Sequence, residues 1–465
     1  MSDNNSNDNT VNVIIHLSDD EDGISRDENH VINKNDLTLS EEIVIKDKLM
    51  SENNIYLSEE AMIKEKIKEK DEEVKPQKLT FLERLKKIKI DPVLIVAWLM
   101  AIISSFFTYP DEKYPSYIDW RSLGILWSLM VVIRGLRDNS VFEIVGKFLL
   151  KRVKYGWQLA SVLIFMCFFG SMLITNDVAL ITFVPFAIII LKSSGREDMM
   201  ILVVVFQTVA ANMGSMLTPI GNPQNLYLYG ITGMPIHEFI LTMLPLTSLT
   251  FFLLILSIFI LPKKKRAIII DEYYTIVKKH ENKFHITIYF ILFIMAICSV
   301  LRLIPWYIAA GVILGIVLIL DYHVILKVDY ILLLTFIGFF IFTGNMGRIE
   351  KVKDILEDLI NGKEFWIGLI TSQFISNVPA TLLLSEFANN YKNLLQGVNI
   401  GGLGTLIASM ASLISYKLAS NVYPKKKGKY LLIFTLVNII YLIILCPFWY
   451  LLYQVILKEN NNNLE

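Results

Sequence analysis

From residue 92 onward apolar residues come in long runs of fifteen to twenty-five. A helix rising 1.5 Å per residue needs about twenty such residues to cross a hydrocarbon core about 30 Å thick. The runs predict crossings over residues 92–109, 117–136, 199–228, 237–261, 284–303, 305–320, 328–345, 394–420 and 429–457. Two further apolar stretches, 157–192 and 364–391, are interrupted near their middles by polar clusters and predict re-entrant helical hairpins that return to the side they left. Inside the crossing at 199–228, "ILVVVF" (201–206) gives way to "ANMGSMLTPIGNPQN" (211–225), with two Pro, two Gly and three Asn where a helix would continue. Unwound backbone at membrane depth is tolerated only where protein buries it or where it lines a cavity, so this crossing is a broken helix with a purpose.

The order of these elements repeats. Residues 92–261 run span, span, amphipathic segment, hairpin, broken span, span, and residues 305–457 do the same. The single crossing at 284–303 turns the second half upside down. "SMLITNDVALITFVPF" (171–186) matches "SQFISNVPATLLLSEF" (372–387), placing Ser171 on Ser372, Ile174 on Ile375, Thr175 on Ser376 and Asn176 on Asn377. "ANMGSMLTPIGNPQN" matches "VNIGGLGTLIASMAS" (398–412), placing Asn212 on Asn399, Gly214 on Gly401 and Thr218 on Thr405. The expected fold is an all-α polytopic membrane protein of two inverted repeats, with re-entrant hairpins and broken transmembrane helices.

Charge adds sidedness and a tail. Residues 1–77 hold 20 Asp and Glu against 9 Lys and Arg, with no sustained apolar period, and predict a disordered, acidic, cytoplasmic tail. Residues 78–91 form a basic amphipathic segment suited to an anionic lipid surface, and residues 458–465 a polar C-terminal tail. With both hairpins re-entrant, the basic residues before the first span, "KRVK" (151–154), "KKKR" (263–266) and "KKKGK" (425–429) fall on one side, which the positive-inside rule makes the cytoplasm. The body then divides into repeat 1 (92–261), a cytoplasmic loop with a linking helix (262–304) and repeat 2 (305–457). A cell-membrane location with the N-terminus in the cytoplasm follows.

Catalytic signals are absent from the sequence. Cys167, Cys298 and Cys446 stand singly in apolar runs, and no nucleophile elbow, zinc motif or phosphate loop occurs. No enzyme activity, covalent cofactor, transition-metal site or nucleic-acid partner is expected. The polar chemistry sits instead at the hairpin tips and breaks. Thr175, Asn176, Ser376 and Asn377 supply donors and acceptors at helix ends, and glycine-rich breaks let carbonyls approach a cation. The same residues would also serve as helix caps. Asp177 is the one carboxylate predicted near the midplane, where an ionisable side chain points to function, though an N-cap also accounts for it.

At these residues the chain resembles the ion transporter superfamily, in particular its arsenite, citrate and sodium/proton antiporter group, related to divalent-anion/sodium symporters. The resemblance covers about residues 90–457 and rests on "TN" and "SN" at the tips, "IGNPQN" (220–225) and "NIGGLGTLIAS" (399–409). It implies a dimeric, elevator-type secondary transporter in which hairpins and broken spans move against a scaffold. Carried over by position, the substrate set is Thr175, Asn176, Thr218, Asn222, Pro223, Ser376, Asn377 and Thr405. The cation or coupling set is Asn176, Asp177, Asn212, Gly214, Ser372, Asn377, Asn399 and Gly401. The dicarboxylate symporters carry Ser-Asn-Thr at both tips, whereas this chain has Thr175-Asn176-Asp177 and Ser376-Asn377-Val378. The expected activity is movement of a small organic anion of citrate or dicarboxylate type, coupled to Na+ or H+. Arsenite efflux and sodium/proton antiport are the alternatives, with a channel or receptor as the other class. Residues 165–185 are expected to be reached from the cytoplasmic face and 368–386 from the outer face. Cysteine-accessibility labelling from each side tests this, and exclusive labelling of both from one side would remove the inverted repeat.

Overall fold

A computed structural model describes residues 10–17, 26–33, 92–151, 153–261 and 282–462. The basic segment 78–91, most of the tail and the 262–281 loop with "KKKR" lie outside the described residues. Within the stretch expected to be disordered, Thr10–Leu17 pairs antiparallel with Arg26–Asn33, Thr10 facing Asn33 and Leu17 facing Arg26. The difference has a local cause, since "TVNVIIHL" is rich in β-branched residues that favour a pleated strand.

The described residues from 92 onward are mostly helical. The first half comprises α1 (Pro92–Ser105), α2 (Trp120–Asp138), α3 (Val141–Leu150), α4 (Gly156–Leu173), α5 (Asn176–Ser193), α6 (Met200–Ser215), α7 (Pro223–Thr232) and α8 (Ile236–Ile258). After α9 (Lys283–Val300) come α10 (Trp306–Leu326), α11 (Tyr330–Gly347), α12 (Glu350–Ile360), α13 (Glu364–Ile375), α14 (Asn377–Ser385), α15 (Tyr391–Ile400), α16 (Met410–Val422) and α17 (Lys427–Asn462). Among the described residues eight helices are long and apolar enough to cross a membrane. Both arms of the first hairpin, α4 and α5, are among them at 18 residues each, about 27 Å. The second hairpin is shorter, with arms of 12 and 9 residues.

The two halves carry the same order of elements, and their packing follows an exchange of halves. Helix α1 packs on α11 as α10 packs on α2; α4 lies on α6 as α13 lies on α15; α5 meets α16 as α14 meets α7. Even the caps correspond. Asp119 accepts from Ser122 N at the start of α2, and Asp329 from Leu332 N at the start of α11. Arg302, just past α9, donates to the carbonyls of Tyr229 and Gly233 at 2.7 Å each, closing the C-terminal end of α7.

Close helix approach holds α1, α2, α9, α10 and α11 together, because apolar lipid gives little hydrophobic drive between helices. A Cβ at Gly135 would stand 2.1 Å from the Tyr289 ring, and one at Gly124 would stand 2.4 Å from Trp306. The Tyr289 hydroxyl is itself buried with no hydrogen-bond partner among the described residues. Gly135→Ala is therefore expected to lower stability by about 1–3 kcal/mol through overpacking. Tyr289→Phe should be neutral or stabilising, since it removes an unsatisfied polar group. Thermal unfolding of the detergent-purified chain compares the two directly.

Candidate functional site

The site begins with a backbone problem. Helix α4 stops at Leu173, Ile174 and Thr175 are extended, and α5 starts at Asn176; the neighbouring span is interrupted between α6 and α7. Each interruption frees amides and carbonyls that hydrocarbon would leave unpaired. The structure pairs tip with break. Asn176 N donates to Gly221 O at 2.9 Å, and the Thr218 hydroxyl donates to Met172 O at 2.6 Å. In the second half Asn377 N donates to Ala408 O at 2.9 Å, and the Thr405 hydroxyl donates to Gln373 O at 3.0 Å. These are the same two bonds at corresponding positions, so each hairpin and its broken span form one unit.

A second set of bonds ties the units to each other. The Asn212 Oδ1, on α6, accepts from Asn176 Nδ2 at 3.1 Å and from the Ser409 hydroxyl at 2.9 Å. Its Nδ2 donates to Ser412 Oγ at 3.3 Å, so Asn212 reaches across into the second break. Asn399, on α15, does the reverse: its Oδ1 accepts from Asn222 Nδ2 at 3.0 Å and its Nδ2 donates to Asn225 Oδ1 at 2.7 Å. Asn176, Asn212, Asn222, Asn225, Asn377 and Asn399 are all buried. A buried amide network of this kind is rigid when satisfied and costly when cut.

The halves differ in how break carbonyls are served. In the first, Asn225 Nδ2 approaches the carbonyls of Ser215, Met216 and Thr218 at 3.1–3.3 Å, from within the broken span itself. In the second, Gln373 reaches over from the hairpin arm, its Nε2 donating to Gly401 O (2.8 Å) and Leu403 O (2.9 Å) while its Oε1 accepts from Thr405 N (2.9 Å). The tips differ as well. Thr175 is ordinary extended backbone, whereas Ser376 has φ 74° and ψ 153°, a region natural to glycine, with its hydroxyl buried and without a partner among the described residues.

The remaining candidates have definite places. Gly214 allows α6 to touch the first hairpin arm, since a Cβ there would lie 2.2 Å from Phe168 O and 2.8 Å from Ser171 Oγ. Gly401 does the same against Leu369 and Ser372. The Ser372 hydroxyl bonds within its own helix to Gly368 O at 2.7 Å. Asn222 caps α7 through Asn225 N, with Pro223 in the first helical turn. Thr405 is exposed. Asp177 is half-buried in the first turn of α5, its backbone N donating to Asn176 Oδ1 at 3.0 Å. Its carboxylate makes no hydrogen bond or ion pair among the described residues. Sequence reasoning missed Gln373, Asn225, Ser409 and Ser412, although all four lie inside the two matched segments. At the far end of α16, the Tyr423 hydroxyl donates to Glu197 Oε2 at 2.7 Å; desolvation first, and the adjoining carboxylate second, push the phenol up to about 12.

Two hairpins closed onto two interrupted helices, inside a body of membrane-length helices, define a multi-pass membrane protein of transporter type. Residues 82–396 match the family described as citrate transporter, and the chain belongs to that family. It is a membrane transporter. It is 36% identical over 338 residues to an uncharacterized transporter of Methanocaldococcus jannaschii, covering 71% of this chain and 89% of the relative. It is 32% identical over 355 residues to the inner membrane protein YbiR of Escherichia coli, covering 74% and 91%. A shorter match, 31% over 135 residues (29% of this chain, 27% of the relative), is to the silicon efflux transporter LSI3 of Oryza sativa.

The cross-brace is open to a double-mutant cycle. Asn222→Ala and Asn399→Ala should each destabilise the protein, and the double mutant should lose less than the sum by about 0.6–1.7 kcal/mol, from the average to the largest coupling found for side-chain hydrogen bonds between membrane helices. Strict additivity would mean that the Asn222–Asn399 bond carries no coupling.

Proposed function

We propose that this chain is a secondary active transporter that moves a small organic anion of citrate or dicarboxylate type across the cell membrane, coupled to a sodium or proton gradient. The observation that carries the reading is the cross-braced pair of tip–break units. Helices α5 and α14 begin at the tips, so the positive ends of their dipoles face the breaks, an arrangement transporters use to hold anionic groups near the midplane. Thr175, Asn176, Ser376 and Asn377 contact the substrate, and carbonyls of the two breaks hold the coupling cation. The two repeats are inverted, the N-terminus is cytoplasmic, and the hairpins with their broken spans move together as the transport body of a homodimer.

Asp177 favours a second reading. A carboxylate in the first turn of α5 opposes a multiply charged anion unless a proton or cation accompanies it, and it suits a neutral or weakly acidic oxyacid. Relatives named as a silicon efflux transporter, in Oryza sativa, and a putative transporter arsB, in Dictyostelium discoideum, are in keeping with that reading. Sodium/proton antiport would use the same carboxylate.

Uptake into proteoliposomes from a panel of citrate, dicarboxylates and arsenite, under imposed sodium or proton gradients, separates these readings. Citrate or dicarboxylate uptake that responds to a gradient is the expected result. Asp177 sits inside the first turn of α5 with no capping bond from its carboxylate among the described residues, contrary to the N-cap expectation, and Asp177→Asn keeps the side chain's shape but removes its charge. The variant should lose the gradient response while substrate exchange at equilibrium survives. A wild-type gradient response would leave Asp177 without a coupling role.

A further inference from the structure

Between α9 and the first hairpin runs a cleft of two contrasting parts. The deeper part is an apolar cavity of about 630 Å³, walled by Val145 of α3, by Phe165, Phe169 and Leu173 of α4, and by Phe290 and Phe293 of α9. Its wall on α4 extends from Ser161 to Leu173, about 18 Å of helix, close to the depth of one leaflet of a 30 Å core. At the C-terminal end of α2, the N-terminal end of α9 and the kink of α10 lies a polar cavity of about 550 Å³ walled by Asp138, Asn139, Asn282, Lys283, Phe284, His285 and Asp321. The two parts adjoin along the chain. His285 is followed by Ile286 on α9, and Asp138 and Asn139 lie between Leu136 and Val141 of the apolar wall.

The charges of the polar part are arranged as a pair. Lys283 is exposed and makes no ion pair among the described residues. Asp321 sits where α10 is kinked; its Oδ1 accepts from the His323 backbone N–H at 3.0 Å and meets the His323 imidazole at 3.2 Å, while no partner is found for its other oxygen among the described residues. Asp138 is already engaged by Arg134 (3.1 Å) and Lys327 (3.2 Å). Lys283, without an ion pair among the described residues, and Asp321, with one oxygen open among them, therefore line the same polar space, next along α2 and α9 to an aromatic and aliphatic slot of leaflet depth.

We propose that this cleft binds one phospholipid with a primary-amine headgroup, drawn from the surrounding leaflet. The phosphate lies at Lys283 and His285, the ammonium at Asp321, and an acyl chain in the slot. An organic anion does not fit the slot, where Ser161 is the one polar side chain in the wall. A quaternary headgroup lacks the N–H donors that the Asp321 carboxylate would accept, and a headgroup with no cation leaves Asp321 unmatched. The lipid would stand between α9, which packs on α2 and α10, and the hairpin that closes onto the first break.

Native mass spectrometry of the full chain, released from micelles holding equal amounts of phosphatidylethanolamine, phosphatidylcholine and phosphatidylglycerol, tests this without reference to transport. Wild type should retain phosphatidylethanolamine at least five-fold over either competitor. Asp321→Asn should abolish that preference, and Val145→Trp, which fills the slot from an already exposed position, should remove retention of all three. Should Val145→Trp alter elution on size exclusion, Phe290→Trp obstructs the slot from the opposite wall. Equal retention of the three lipids, preference for phosphatidylglycerol, or a preference unchanged in Asp321→Asn would each overturn the proposal.

Discussion

Hydrocarbon offers no hydrogen bonds, and everything at the centre of this protein follows from that. A helix interrupted at membrane depth exposes amides and carbonyls that must find partners in the protein, at a cost of several kcal/mol for each one left alone. Here the partners come from the hairpin tips. The bonds from Asn176 N to Gly221 O and from Asn377 N to Ala408 O are the minimum closure of each break, and the threonine bonds beside them double it. Once a tip is fixed on its break, the glycines at 214 and 401 have to be glycines, because the hairpin arm lies where a side chain would point.

The asparagine network is built on that closure. Asn212 and Asn399 each leave their own span and enter the other's break, so neither interruption can be rebuilt as continuous helix without disturbing its counterpart. The two units are thus joined by polar bonds in a region where apolar surface alone would not hold helices together. Around them, α1, α2, α9, α10 and α11 associate by close backbone approach at small residues, a different kind of adhesion with few polar obligations.

Much of this was legible in the sequence because the constraint acts on residue types. Breaks demand Gly and Pro, tips demand amides and hydroxyls, and the same demand made twice produces a detectable repeat. The pairing of Asn176 with Asn377 and of Asn212 with Asn399 was readable for that reason. What escaped was the service of the break carbonyls. Gln373 corresponds to Met172 in the first hairpin, and Ser412 to Asn225 in the first broken span, so the repeat pattern gives no reason to single them out. Their roles depend on which of two amides, one in the hairpin and one in the span, happens to reach the carbonyls. Arm length was legible only in part, since the apolar runs 157–192 and 364–391 record a longer first hairpin but not that the second arm of the second hairpin stops at Ser385.

Ser376 extends the asymmetry to energies. Its backbone lies where a side chain costs of order 1–3 kcal/mol, and Thr175, its counterpart, is free of that cost. An exchange of halves that preserved every hydrogen bond would still not preserve free energy, and 1–3 kcal/mol corresponds to a population ratio of about 5 to more than 100. The two tips, alike in their hydrogen bonds to the breaks, therefore differ in the backbone energy stored at each.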